Sequence, residues 1–366
     1  MKKLLIYYNS MKPLGGIERV IANLSNYLAD YYDITVLVKD ELITSYKLDE
    51  RIKLNTLNCN LELNMNSRFQ RFVSVFKNIF ESKKRLRSYF KDNKFDYIYT
   101  AYITNATEVY FADKSYRDKL VVSEHASYYA YNRIYKIMKN WLYPKIKALS
   151  IPTTMDTEIY KDKGYNAFYI PHLTTFTNVV QNNLGHKKII NVGRLTEDKQ
   201  QEMLLDIWKK VNDAYPEHDY ELLIIGSGEE EDRLKDKINL LNLSNVKMIP
   251  HTPNIDEYYK NADLFVFTSR MEGFGMVLLE AMSFSVPCIS FDCPSGPRDI
   301  VKDGYNGYLI SCYDKEMYSK KIIDYMKLDD SQKKQMSKNA GETIINWDNG
   351  KIIDSWIKLF DYLDLN

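Results

Sequence analysis

The chain of 366 residues is longer than one hydrophobic core usually supports, so two domains are expected, and 45% hydrophobic with 27% charged residues excludes both a disordered chain and a membrane-spanning bundle. A net charge of +1 argues against a general nucleic-acid binder. That neutrality hides an asymmetry: residues 1–180 carry 27 Lys+Arg against 18 Asp+Glu and residues 181–366 carry 23 against 31, so the first half suits an anionic partner surface or substrate.

In chain order, the opening apolar run is too short, and lacks the small-residue cleavage site, for a leader peptide; residues 4–8 read as a first buried strand. Further strands are expected at 34–38, 97–102 and 120–123, with a helix after the first strand whose Ile17, Val20, Ile21, Leu24 and Leu28 follow the 3.6-residue period. Residues 67–94 carry nine Lys+Arg against two acidic residues, beside Phe69, Phe72, Val73, Phe76, Ile79 and Phe80 at spacings of three and four. Such a helix suits an anionic lipid surface, and equally an ordinary core helix with solvated bases. The basic first half favours reversible membrane attachment.

The apolar periodicity lapses over 171–186 and then restarts: strands at 188–192, 221–225, 246–249, 264–268 and 286–291, a helix over 199–214, and a terminal helix over 347–365 with Ile352, Ile353, Trp356, Ile357, Leu359, Phe360 and Leu363 on one face. Alternating strands and helices predict an α/β protein of two doubly wound Rossmann-like halves in series, here divided as 1–175, 186–345 and 346–366. No apolar stretch is long enough to span a bilayer, and the scattered Cys59, Cys288, Cys293 and Cys312 read as reduced thiols of a cytoplasmic protein.

The stretch richest in chemistry is Glu272-Gly273-Phe274-Gly275-Met276, followed by Glu280. Its glycines let backbone approach a ligand, and a helix starting near Met276 offers unpaired N–H groups to a phosphate. Glu272 and Glu280, one in the loop and one on the helix, are placed to touch different parts of that ligand. Upstream, Arg194 and Lys199 leave a strand end as a pair of cations suited to a diphosphate. Gly15-Gly16 follows the first strand and opens the first helix, and His125 stands in a loop after the strand at 120–123. Gly226-Ser227-Gly228 reads as a tight turn, because Glu231 occupies the place of a third glycine in a dinucleotide loop. His172, His186, His218 and His251 lack metal-ligand spacing.

Glu-x7-Glu, with Gly-Phe-Gly after the first Glu and Glu-Ala-Met around the second, resembles the retaining glycosyltransferases of family four, and the resemblance extends over nearly the whole chain. It implies the GT-B fold: an acceptor-binding and a nucleotide-sugar-binding Rossmann-like domain facing across a cleft, with the terminal helix crossing back to the first. By the same implication Glu272 lies at the donor sugar, Glu280 binds the ribose, and the backbone of Phe274, Gly275 and Met276 holds sugar and phosphate. Arg194 and Lys199 would stabilise the leaving diphosphate, the Gly15-Gly16 loop would approach the β-phosphate, and His125 would face the sugar. The implied donor is a nucleotide sugar, by default UDP-linked, and the implied acceptor a glycan or lipid-linked glycan in capsule, lipopolysaccharide or other polysaccharide assembly; neither cofactor nor metal is implied. A phosphorylase or epimerase of the same fold, or a non-catalytic carbohydrate or nucleotide-binding module, is the alternative.

Overall fold

The computed structural model describes residues 1–59, 68–176 and 178–365, the side chains of 68–73, 75 and 76 excepted. It divides into two compact units, Met1–Leu173 with Gly350–Asn366, and Thr174–Asn349.

The first unit runs β1 (Lys3–Tyr7), α1 (Gly16–Leu28), β2 (Asp33–Val38), β3 (Lys53–Thr56), α2 (Arg68–Asp92), β4 (Tyr97–Thr100), α3 (Ile103–Ala112), β5 (Leu120–Ser123), α4 (Arg133–Leu142), β6 (Ala148–Ile151), α5 (Thr154–Asp162) and β7 (Ala167–Tyr169). Its seven strands are parallel in the order β3-β2-β1-β4-β5-β6-β7. Helices on both faces bury β1, β4, β5 and β6 almost throughout, which is why these strands are near-continuous apolar runs. The order reverses between β1 and β4, so the loops after those two strands diverge and open a crevice at the strands' C-terminal ends.

The second unit repeats the plan with β8 (Lys188–Val192), α6 (Gln201–Ala214), β9 (Glu221–Ile225), α7 (Glu231–Leu240), β10 (Val246–Ile249), α8 (Ile255–Lys260), β11 (Leu264–Phe267), α9 (Met276–Ser283), β12 (Cys288–Phe291), α10 (Pro297–Ile300), β13 (Gly307–Ile310), α11 (Lys315–Met326) and α12 (Asp330–Asn346). Its six parallel strands take the order β10-β9-β8-β11-β12-β13, with the reversal between β8 and β11. Apolar clusters lie against this sheet, one including Trp208 and Tyr318, the other Phe267, Phe274 and Leu278. Tyr318 joins the strands from beneath, donating to the Ile289 carbonyl at 2.6 Å and accepting from the Phe267 amide at 2.9 Å.

The last helix, α13 (Asn349–Leu365), belongs to the first unit from Gly350 onward. Its apolar face is buried there: Phe360 lies 5.0 Å from Tyr97 and 5.4 Å from Tyr32, and Trp356 lies 5.6 Å from Tyr99, centroid to centroid. Asp364 accepts from the Tyr97 hydroxyl at 2.6 Å and pairs with Lys2, which holds its carboxyl below the usual range.

Helix α2 packs on the first unit's core through its C-terminal part. Leu86 and Phe90 are buried in the first unit's core, whereas Phe80 is 67% exposed; Phe69, Phe72, Val73 and Phe76 lie outside the described side chains. Replacing Phe360 by Ala removes a ring packed between two tyrosines and is expected to cost about 3 kcal/mol of stability, read as a lowered urea midpoint. An unchanged midpoint would contradict this docking of α13.

Candidate functional site

In the second unit the segment leaving β8 and the loop leaving β11 meet where the strand order reverses. Asn191 pins the two strands together, its amide donating to the Val266 carbonyl at 2.8 Å. Beyond β8 the chain passes Gly193 and Arg194, makes a short helical turn at Glu197–Lys199, and enters α6 through Gln200 in a left-handed conformation. This places Lys199 before the helix proper. The Thr268 hydroxyl donates to the carbonyls of Lys199 and Gln200 at 3.2 and 3.3 Å, and the Arg270 amide donates to the Asp198 carbonyl at 2.9 Å.

These contacts bring together two of the residues singled out in the sequence. Lys199 Nζ forms an ion pair with Glu272 Oε1, the lysine side chain 25% and the glutamate 11% exposed. Two charges so far withdrawn from water need one another, since removing either strands its partner. Arg194 extends from the same segment, exposed and without an ion-pair partner among the described residues. The site therefore offers a free guanidinium, an ammonium held by a carboxylate, and a helix terminus within one pair of loops.

That terminus is α9. Gly275 occupies its N-cap at φ 95°, a conformation in which a Cβ is strained, and Met276 opens the helix. Phe274 is buried against Trp347, 5.6 Å between ring centroids. Glu280 is buried one turn further on and accepts from the Tyr259 hydroxyl at 3.2 Å. The loop is clamped by the segment after β12: the Glu272 amide donates to the Pro294 carbonyl at 2.8 Å, the Ser295 amide to the Glu272 carbonyl at 3.1 Å, and a Cβ on Gly296 would fall 1.7 Å from the Phe274 carbonyl. Arg298 is paired with Asp292 at 2.9 Å, which ties that segment to itself.

Gly226 and Gly228 serve close packing. A Cβ on either would lie 1.9 Å from the Gly193 carbonyl or 2.2 Å from the Leu195 carbonyl, so the turn after β9 lies directly on the segment carrying Arg194.

In the first unit the Gly15-Gly16 loop follows β1, with Gly15 as N-cap of α1. A Cβ on Gly15 would lie 2.1 Å from the Glu18 carboxylate, whereas one on Gly16 would meet open space. Glu18 is buried and accepts from the Tyr8 hydroxyl at 2.9 Å. His125 follows β5. Its Nε2 lies 2.9 Å from the Tyr99 hydroxyl, and its ring stacks on His172 at 5.1 Å. Burial holds the His125 pKa down at about 3 and pushes His172 the same way, assisted by His125, so both imidazoles are neutral near pH 7. Neighbouring Glu124 points elsewhere, buried and bound by Lys139, by Tyr131 at 2.6 Å and by Tyr143. His172 carries no signal of its own in the sequence, where it lies 47 residues from its partner without metal-ligand spacing; only the fold brings it against His125. Among the described residues there is no group of three or more His, Cys, Asp or Glu arranged to hold a metal ion.

The family description "Glycosyl transferases group 1" matches residues 174–343, and "Glycosyltransferase Family 4" matches residues 14–168. The chain belongs to the family-four glycosyltransferases. The amylovoran biosynthesis glycosyltransferase AmsD of Erwinia amylovora is 26% identical over 339 residues, covering 88% of this chain and 89% of its own. A Campylobacter jejuni enzyme, named GalNAc-alpha-(1->4)-GalNAc-alpha-(1->3)-diNAcBac-PP-undecaprenol alpha-1,4-N-acetyl-D-galactosaminyltransferase, is 24% identical over 349 residues, 94% of each chain. The crystal structure titled TarM, at 15% identity, superposes with a TM-score of 0.81 over 98% of this chain and 99% of its own, which establishes the shared GT-B fold of this glycosyltransferase.

The histidine pair gives the enzyme a defined acid sensitivity. The unfolded chain protonates histidine near pH 6.5 while folded His125 resists to about pH 3, so this contribution to stability is complete above pH 6.5 and is lost as pH falls toward 3. The urea midpoint is expected to drop between pH 7 and pH 5, and to drop less in a His125→Asn, His172→Asn double variant. Equal drops would show that the pair is not held neutral.

Proposed function

We propose that the enzyme transfers a sugar, with retained anomeric configuration and without a metal, from a UDP-sugar to a hydroxyl of a lipid-linked glycan during surface-polysaccharide assembly. The observation that carries this reading is the Lys199–Glu272 pair beside exposed Arg194 and the Gly275-capped start of α9. Relatives whose names specify amylovoran biosynthesis and a PP-undecaprenol acceptor support the acceptor class. A TarM mutant solved with UDP supports the nucleotide.

In this mechanism the bond between the anomeric carbon and the phosphate oxygen breaks and its electron pair leaves with the nucleotide diphosphate. The acceptor hydroxyl adds to the anomeric carbon from the same face and gives up its proton to the departing phosphate oxygen. Charge building on that oxygen is met by Arg194, Lys199 and the amides opening α9, dipoles and cations already in place and costing little reorganisation. Glu272, fixed by Lys199 on one side and by Pro294 and Ser295 through its backbone, orients the sugar. Buried Glu280, held by Tyr259, accepts from ribose hydroxyls. Gly16, where the first unit leaves open space beside the backbone, suits close passage of the loop to phosphate; neutral His125, steadied by Tyr99, suits a hydrogen bond to the sugar rather than a charge.

A work site at the inner face of the cell membrane follows from a lipid-linked acceptor. The intact Lys199–Glu272 pair counts against a non-catalytic binding module, which has no need to hold a partly buried charge pair at its ligand. With a panel of UDP-sugars and lipid-linked acceptors, Glu272→Gln and Lys199→Ala are expected to lower turnover at least a hundredfold while the protein remains folded. Near-wild-type turnover in both variants would overturn the mechanism.

A further inference from the structure

Helix α4 turns large apolar side chains to solvent. Asn132 caps it, accepting from the amides of Ile134 and Tyr135 at 3.0 and 3.1 Å, and its inner side is fixed by Leu142 and by Lys139, buried on Glu124. That anchoring leaves Ile134, Ile137 and Trp141, at spacings of three and four, on the outer side, Ile137 60% exposed. The stripe continues onto the neighbouring helices. Trp141 stacks on exposed Phe111 of α3 at 5.4 Å, and Lys83 of α2 lies 5.9 Å from the Phe111 ring and 5.4 Å from that of exposed Phe80. Three helices thus share one contiguous surface of aromatic and branched side chains, which folding of the first unit alone does not bury.

Its frame is cationic. Lys145 lies 3.5 Å from the Trp141 ring centroid, Lys83 lies over Phe80 and Phe111, Arg87 donates to the Ala112 and Phe111 carbonyls at 3.2 and 3.4 Å, and Arg133 and Lys136 stand next to Ile134 and Ile137 along α4; none of them is in an ion pair with a carboxylate among the described residues. Helix α4 contains no acidic residue, and the whole first unit carries 29 Lys+Arg against 21 Asp+Glu. An indole and branched aliphatics ringed by unpaired cations match the boundary of an anionic bilayer, where rings enter the headgroup region and lysines meet lipid phosphates.

We infer that the Phe80–Phe111–Ile137–Trp141 face of the first unit docks on anionic lipid membrane. This extends the membrane expectation from α2 to a surface centred on α4, and it stands on geometry that is independent of the transferase reading, although it serves a lipid-borne acceptor.

The test is co-sedimentation of the full chain with phosphatidylglycerol-containing and with pure phosphatidylcholine vesicles, using wild type, an Ile137→Glu, Trp141→Glu variant and a Lys136→Glu, Lys145→Glu variant. Each variant is checked for folding and UDP binding at the assay temperature; Trp141→Glu loses its stacking on Phe111 and is expected to lower the thermal midpoint modestly, with the protein still folded and still binding UDP. The expected result is salt-sensitive binding of wild type to the anionic vesicles, weakened at least tenfold by the apolar double variant and about fivefold per charge by the other. Equal, negligible binding to both vesicles overturns the inference. So does wild-type binding by the Ile137, Trp141 variant, or a wild-type dimer that this variant dissociates without any vesicle binding. A protein that binds UDP but no vesicle overturns the membrane face alone and leaves the transferase reading standing.

Discussion

One ion pair organises the second unit's site. Lys199 and Glu272 come from loops after non-adjacent stretches of chain, and both are drawn largely out of water. A charge in that position is tolerable only when paired, so the pair fixes the relative placement of the two loops. The rest of the site follows from it: Thr268 and Arg270 tie the same loops by backbone-directed bonds, and Gly226, Gly228 and Gly296 allow the neighbouring turns to lie directly on them. In the proposed mechanism a diphosphate meets cations already held in place.

Legibility from sequence tracks how local each feature is. Strands β8, β9 and β11, and the Glu272 to Glu280 segment, are readable because buried parallel strands are apolar runs and because Gly275 must sit at the head of a helix; β10 is read in spite of its edge position because three of its four residues, Val246, Met248 and Ile249, are apolar. Strands β3, β6, β7 and β13 are not among the strands expected from the sequence. They have three or four residues each, and β3, β7 and β13 lie at sheet edges where half-exposed side chains blur the pattern. The helix expected from residue 199 starts two residues later, because the left-handed backbone of Gln200 has no glycine to announce it. Tyr99, His172 and Tyr259 are invisible as site residues in the sequence, since only the fold brings them beside His125 and Glu280.

Net charge and local charge give different messages in the two units. The second carries 21 Lys+Arg against 28 Asp+Glu, yet its proposed anion site is cationic. Within the site Glu272 is in contact with Lys199 and Asp198 with Arg270, so the charge left for an anion is that of exposed Arg194 and of the α9 terminus, while acids beyond about 8 Å are screened by physiological salt. In the first unit the excess charge is itself informative, because unpaired Lys83 and Lys145 lie directly over the rings of the apolar face.

The central claim, that a nucleotide diphosphate is held by protein cations and a helix terminus without a metal, is tested most directly by titrating UDP, GDP and ADP into the protein in the presence of EDTA while following thermal stability. A ligand at a hundred times its dissociation constant adds about 2.7 kcal/mol to the bound state, a readily measured shift. The account predicts stabilisation by UDP, unaffected by EDTA and lost in Lys199→Ala. No stabilisation by any of the three nucleotides, or stabilisation abolished by EDTA, would contradict it.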